Sequence, residues 1–166
     1  MRHKMNKKWD KFRYPLWLLA ILLLAWYGFF GYKYRFNYNW GTSMMPTLEH
    51  TEWIIVQKRY SLGEDWVPEK WDVLIIIDKK NRESLCKRVV ATSGDVVEIR
   101  DGFILVNGEK LKNPFLSRPP QQTKPNHDEH PYKVKKGEVW VIGDNVPESW
   151  YGPLPIKDID ALVVIW

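Results

Sequence analysis

The sequence predicts a mainly β domain attached to one N-terminal transmembrane helix. Three observations predict this fold class: an uncharged apolar run at 15–32, a series of short β-branched runs after residue 52, and the lack of a long amphipathic helical pattern elsewhere. The mean hydropathy is negative, which excludes a bundle of membrane spans. We therefore divide the chain into a basic cytoplasmic tail (1–14), a transmembrane anchor (15–35) and an extracytoplasmic β-rich domain (36–166).

The positive charge of the chain lies in the N-terminal tail. The formal net charge is +5 at pH 7, and residues 1–14 account for all of it, with six basic side chains against Asp10. These basic residues are Arg2, Lys4, Lys7, Lys8, Lys11 and Arg13. A nucleic-acid-binding domain carries its positive charge on the folded part. The predicted partners therefore do not include nucleic acid.

The apolar run at 15–32 has the length of a membrane span. Its 18 uncharged residues would extend about 27 Å as a helix, close to the hydrocarbon thickness of a bilayer. Aromatic residues at 26–40 suit the headgroup level, and the basic tail predicts a cytoplasmic N-terminus. A cleaved secretory signal would show a small-x-small site, which does not follow here, and a buried core helix would leave the basic tail unexplained.

The rest of the chain alternates strand-like runs with turns. The predicted strands cover 53–57, 72–77, 85–90, 96–100, 103–106, 139–142 and 161–166. Asp101-Gly102 and Asn107-Gly108 predict two tight hairpin turns, because these pairs adopt positive φ. The Pro-rich stretch at 113–131 predicts a long loop. Together these elements predict a barrel or a sandwich.

Ser43 and Lys87 are candidates for nucleophilic catalysis. A serine hydroxyl needs a base to take its proton, and lysine serves only when neutral, against an ordinary pKa of about 10.4. On a strand, Lys87 would share a face with Leu85 and Val89, whose apolar side chains would exclude water and lower the pKa of the amine. An exposed lysine on an edge strand is the alternative, and the residues alone leave both open.

Histidines offer a second possible base. His50, His127 and His130, with Asp128, would permit a Ser-His-Asp triad. We disfavour the triad because the Pro-rich loop lacks strands that would hold a base rigidly. We also disfavour a metal site at His127 and His130, because the prolines around them oppose the helix or tight turn that this spacing needs.

Three segments resemble the type I signal peptidases, a family of membrane-anchored Ser/Lys proteases. Ser43-Met44-Met45-Pro46-Thr47-Leu48 is similar to the family's nucleophile box, the stretch 87–95 to its lysine box, and 143–145 to its Gly-Asp-Asn box. The resemblance implies that Ser43 is the nucleophile, that Lys87 is the general base and that Ser149 orients the lysine amine. It also implies that the Ser43 backbone N–H binds the oxyanion, since Gly41 offers no hydroxyl. Neither a metal nor a cofactor is implied, and the β fold would be that of signal peptidases and repressor-type autoproteases.

The chain departs from the family pattern at several positions. Ala91 and Ser93 replace a usual Gly and Pro, and the segment 146–152 lacks an Arg and an Asp-Ser-Arg element. In the family that element supplies an ion pair near the site. The departures are compatible with a specialised branch, such as peptidases that mature conjugation-system proteins. They also permit a low-activity paralogue that binds exported segments as an accessory subunit, and self-cleavage is a third hypothesis.

The resemblance implies removal of signal peptides from exported precursor proteins at the outer face of the plasma membrane. Membrane-tethered precursors and the lipid bilayer are the expected partners, and no oligomeric state is predicted. Ten residues separate Tyr32 from Ser43. The nucleophile would therefore stay near the membrane surface, which raises its effective concentration toward a tethered substrate.

Overall fold

The computed structural model describes residues 7–78, 83–100, 103–112, 131–146, 149 and 152–165. The chain forms two compact units, Met1–Tyr34 and Arg35–Trp166. The first is largely one helix and the second carries nearly all of the β structure. The predicted division at 14, 35 and 36 stays a prediction.

Helix α1 spans Lys7–Lys33 and contains Pro15. Its part from Pro15 to Lys33 is long and apolar enough to cross a membrane, judged by length and composition. The predicted apolar helix is thus confirmed, but the helix also includes residues 7–14, which we assigned to the tail. Lysine and arginine are good helix formers, so the basic tail can continue the helix beyond the apolar run.

Eleven strands follow the helix in the described chain. Strands β1 to β6 span Tyr34–Asn39, Glu52–Lys58, Val73–Asp78, Glu83–Ala91, Val96–Arg100 and Phe103–Val106. Strands β7 to β11 span Glu109–Lys110, Tyr132–Lys133, Glu138–Ile142, Gly152–Pro155 and Ile159–Ile165. They form a seven-stranded sheet in the order β1-β2-β11-β3-β4-β9-β10 and a four-stranded sheet in the order β7-β6-β5-β8. The mainly β prediction is confirmed.

The predicted hairpin after residue 95 is present. β5 and β6 pair antiparallel, with Val97 opposite Val106, while the Asp101-Gly102 turn lies outside the described residues. The second predicted turn joins β6 to β7, and Asn107 and Gly108 have φ angles of 55° and 81°. Most of the predicted loop at 113–131 also lies outside the described residues.

The core consists of three clusters of buried apolar side chains. One joins the two sheets and includes Val90 and Trp140 from the larger sheet and Val97 and Ile104 from the smaller one. The other two involve alternate residues of β3, since Val73 and Ile75 belong to one cluster and Leu74 and Ile76 to the other. Both faces of the larger sheet are therefore covered at β3, which explains its continuous apolar run.

The position of β4 in this sheet decides between the two environments considered for Lys87. β4 is the fifth of seven strands and is paired with β3 on one side and β9 on the other. Residues 86–91 are all buried. The alternative of an exposed lysine on an edge strand is therefore wrong.

Candidate active site

Ser43 lies in a compact turn between β1 and β2. The Met45 N–H donates to Thr42 O at 3.1 Å and the Leu48 N–H donates to Met44 O at 3.0 Å. The side chains of Met44 and Leu48 are fully buried in the cluster that contains Val73 and Ile75. Because the apolar members of the turn are fixed in the core, the backbone around Ser43 is held against the sheet.

Lys87 extends from β4 to the Ser43 hydroxyl. Its Nζ lies 3.0 Å from Ser43 Oγ and 3.0 Å from the carbonyl oxygen of Cys86, which accepts a hydrogen bond from it. Only 3% of the lysine is exposed. Desolvation by burial lowers the pKa of Lys87, although the nearby Cys86 and Asp144 oppose the shift. The environment therefore favours the neutral amine that a general base requires.

Arg88, the next residue on β4, forms a buried ion pair with Asp144. Arg88 Nη2 lies 2.7 Å from Asp144 Oδ2 and Arg88 Nε lies 2.8 Å from Asp144 Oδ1, a bidentate arrangement. The side chains are 1% and 0% exposed. Thr47 Oγ1 donates to Asp144 Oδ2 at 2.5 Å, and Arg88 Nη1 donates to Trp71 O at 2.9 Å. Through Thr47, this ion pair connects the Ser43 turn to the strand that carries Lys87.

The segment 143–145, which follows β9, contacts the backbone of Ser43. The Asn145 N–H donates to Ser43 O at 2.9 Å, and Asn145 Nδ2 donates to Thr42 O at 3.1 Å. A Cβ on Gly143 would lie 2.3 Å from Ser43 O and 2.2 Å from Ser149 Oγ. Contacts below 3.0 Å are not tolerated without a shift, so the close approach requires glycine at 143.

The structure brings together three of the residues singled out in the sequence. Ser43 and Lys87 are in contact, and Ser149 lies beside them, where its Oγ accepts a hydrogen bond from the Gly143 N–H at 2.9 Å. The Ser149 N–H also donates to Val146 O at 3.2 Å, and the role of Ser149 in orienting the lysine amine stays a prediction. The backbone N–H of Ser43 likewise stays a predicted oxyanion donor.

The histidine alternatives receive no support from the described residues. His50 is exposed, and its ring packs edge-on against Trp40 with ring centroids 5.0 Å apart. His127, His130 and Asp128 lie outside the described residues. Over the described ranges, we find no group of three or more His, Cys, Asp or Glu side chains that could hold a metal ion.

Sequence reasoning assigned no role to four residues that shape the site. All four fall inside the three family boxes, and that position was the signal available in the sequence. They are Thr47, Arg88, Asp144 and Asn145. The departure at 146–152 suggested that an ion pair near the site had been lost. Arg88 and Asp144 nevertheless form a buried ion pair next to Lys87 on β4.

Comparisons with known proteins agree with the resemblance drawn from the motifs. The sequence profile of a family described as "Signal peptidase, peptidase S26" matches residues 11–166. Signal peptidase I P of Bacillus subtilis subsp. natto is 32% identical over 114 residues, covering 66% of this chain and 60% of the relative. A probable signal peptidase I-1 of Synechocystis sp. is 30% identical over 155 residues, covering 87% of this chain and 76% of the relative.

One solved structure is also matched, at lower identity. The crystal structure of a signal peptidase I from Enterococcus faecalis V583 matches with a TM-score of 0.48 and 20% identity, covering 60% of this chain and 98% of that one. The chain spans 56–60% of the length of the Bacillus relatives.

Proposed function

This chain belongs to the signal peptidase family, peptidase S26, and we propose that it is a membrane-bound serine endopeptidase that removes signal peptides from exported precursor proteins. The observation that carries the proposal is the contact between Ser43 Oγ and Lys87 Nζ, at 3.0 Å, with the lysine 3% exposed. A nucleophile within hydrogen-bond reach of a desolvated base is the arrangement that activates a hydroxyl.

Acylation begins with proton transfer from Ser43 Oγ to the neutral amine of Lys87. Oγ then attacks the carbonyl carbon of the scissile bond, and the carbonyl oxygen takes the negative charge of the tetrahedral intermediate. The Ser43 backbone N–H donates to this oxyanion. As the carbon–nitrogen bond breaks, the Lys87 ammonium gives its proton to the leaving amine, which leaves an ester on Ser43.

Deacylation uses the same groups in the reverse order. Lys87, neutral again, takes a proton from a water molecule, whose oxygen attacks the ester carbon. The lysine ammonium then returns the proton to Ser43 Oγ as the ester bond breaks. Burial supports both half-reactions, because desolvation lowers the pKa of Lys87 and so favours the neutral amine at the start of each. In this proposal Ser149 keeps the Lys87 amine oriented through acylation and deacylation.

The apolar part of α1 supports a membrane anchor for this activity. By composition and length, Pro15–Lys33 can cross a bilayer, and the basic residues before it favour a cytoplasmic N-terminus. The catalytic domain then lies on the outer face of the plasma membrane. Its substrates are membrane-tethered precursors cleaved after small residues, just beyond the apolar segment of their signal peptides.

The test uses the full chain in detergent with a model precursor that carries a signal peptide. We expect Ser43→Ala and Lys87→Ala each to abolish processing, scored by gel mobility and by mass spectrometry of the new N-terminus. The matched controls are Ser93→Ala and Lys135→Ala, which change exposed residues of the same types and should keep the wild-type rate. Wild-type turnover by the Lys87→Ala protein would refute the dyad.

The same assay separates the accessory-subunit hypothesis from the enzyme. A paralogue that only binds exported segments would retain precursor without cleaving it, and Ser43→Ala would not change its behaviour. Self-cleavage would appear as shortening of the wild-type chain, absent from Ser43→Ala, during incubation without precursor.

A further inference from the structure

We propose that Asn145 is a positioning residue that orients the backbone N–H of Ser43 toward the oxyanion. The inference rests on the proposed function, in which that N–H stabilises the tetrahedral intermediate. Asn145 acts through the Thr42–Ser43 peptide group and does not itself contact the reacting atoms. It therefore differs in kind from Ser43 and Lys87.

The argument starts from the peptide group that joins Thr42 to Ser43. This group is trans, since the cis bond among the described residues is Met45–Pro46. In a planar trans peptide the C=O and the N–H point in opposite directions, so fixing one fixes the other. The Thr42 carbonyl oxygen accepts from Asn145 Nδ2 and from the Met45 N–H, each at 3.1 Å. A carbonyl oxygen has two lone pairs, so these two donors hold the plane that contains the Ser43 N–H.

A second hydrogen bond from the same residue holds the other side of Ser43. The Asn145 backbone N–H donates to Ser43 O at 2.9 Å. Asn145 therefore contacts two successive carbonyl groups, one on each side of the nucleophile. A substitution at 145 keeps the backbone contact and removes the side-chain contact. The two contributions can thus be separated by experiment.

The side-chain contact also affects the strength of the oxyanion donor. A hydrogen bond accepted by a carbonyl polarises its peptide group and makes the N–H of that group a better donor. Removing an oxyanion donor outright costs about 100- to 1,000-fold in kcat. Asn145 acts at one remove and is partly exposed, so water can replace its amide in part. We therefore expect a loss of about tenfold in kcat for Asn145→Ala, with KM unchanged.

Two variants distinguish positioning from simple support of the fold. Asn145→Asp keeps the size of the side chain but directs an acceptor at the Thr42 oxygen, so it should be slower than Asn145→Ala. Rates are compared at a pH above which the rate of each variant no longer rises. This is needed because the added carboxylate can alter the titration of Lys87. The pH profile of Asn145→Ala should match that of the wild type, since no charge changes.

The matched control is Asn39→Ala. Asn39 is a buried asparagine at the end of β1, where the connection that carries Ser43 begins, and its Nδ2 donates to Glu49 O at 2.8 Å. This variant should lower the melting temperature and leave kcat within about twofold of the wild type, as expected for a hydrogen bond remote from the reacting atoms. If Asn39→Ala loses as much kcat as Asn145→Ala, the role of Asn145 is only structural.

A measurement that does not depend on turnover completes the test. In detergent-solubilised full-length protein labelled with ¹⁵N-serine, the amide proton resonance of Ser43 should move upfield in Asn145→Ala and stay in place in Asn39→Ala. An unmoved Ser43 resonance, or wild-type kcat in Asn145→Ala, would overturn the proposal. Failure of the proposed function looks different, because the wild-type protein itself would then not cleave the precursor.

Discussion

Loss of the buried ion pair between Arg88 and Asp144 should cost several kcal/mol of stability. Asp144→Asn keeps the shape of the side chain and removes its charge, which leaves the Arg88 guanidinium buried without a counter-ion. The two side chains are 1% and 0% exposed, so water cannot replace the lost partner. Breaking a fully buried pair costs about 3–5 kcal/mol, a fifth or more of the roughly 5–15 kcal/mol that stabilises a typical domain.

The same substitution should also change the pH dependence of catalysis. The negative charge of Asp144 raises the pKa of Lys87 and so opposes the larger effect of desolvation. Removing that charge lowers the pKa of Lys87 further, so the amine becomes neutral at a lower pH. The rising limb of the rate against pH should therefore move to lower pH in Asp144→Asn.

Urea unfolding of the full chain in detergent, followed by tryptophan fluorescence, measures the stability change. The control is Glu98→Gln, which breaks the pair between Arg100 and Glu98. This pair has the same nitrogen–oxygen distance, 2.7 Å, but its side chains are 63% and 26% exposed. An exposed pair contributes about 0–1 kcal/mol. Equal losses in the two variants would refute the argument that burial determines the cost.

Three further predictions concern the residues around Ser43 and Lys87. Gly143→Ala places a methyl group 2.3 Å from Ser43 O and should lower kcat/KM by about 100-fold in the precursor assay. Gly28→Ala, with nothing within 4 Å of the added Cβ, should keep the wild-type kcat/KM. Equal kcat/KM values for Gly143→Ala and Gly28→Ala would contradict the prediction. Burial raises the pKa of the Cys86 thiol to about 12, so iodoacetamide at neutral pH should label it only after unfolding; rapid labelling of the native protein would count against this. Because the pKa of Lys87 is lowered in the folded state, the unfolded chain binds more protons between that pKa and about 10.4, and stability should rise with pH over this window. Urea midpoints measured across pH should lose that slope in Lys87→Met, and an unchanged slope would show that the lysine is not desolvated.

Seven of the eleven described strands were predictable because their signals are local. The β-branched run at 72–77 lies within one residue of β3, and the hairpin of β5 and β6 follows from its alternation and its turn pair. The start of α1 was less predictable, because basic residues at 7–14 are compatible both with a helix and with a tail. Hydrophobic periodicity does not distinguish the two.

The site was predictable in its residues but not in its geometry. Ser43 and Lys87 were identified from their motifs and their chemistry, yet they are 44 positions apart, and their contact depends on the turn and on the register of β4. The pair of Arg88 and Asp144 shows the limit more clearly. Strand alternation assigns Arg88 to one face of the sheet. It does not indicate that the Asp144 carboxylate will lie against that face, because burial and pairing are set by the tertiary fold.

One end of the seven-stranded sheet is poorly suited to pairing with a further strand. β10, the terminal strand in the described part of the sheet, has prolines at the alternate positions 153 and 155. Proline has no N–H, so these two positions offer no donor to a further strand. An unfolded polypeptide would therefore pair poorly with this edge as an added strand. The prolines thereby protect this edge of the sheet against strand-to-strand self-association.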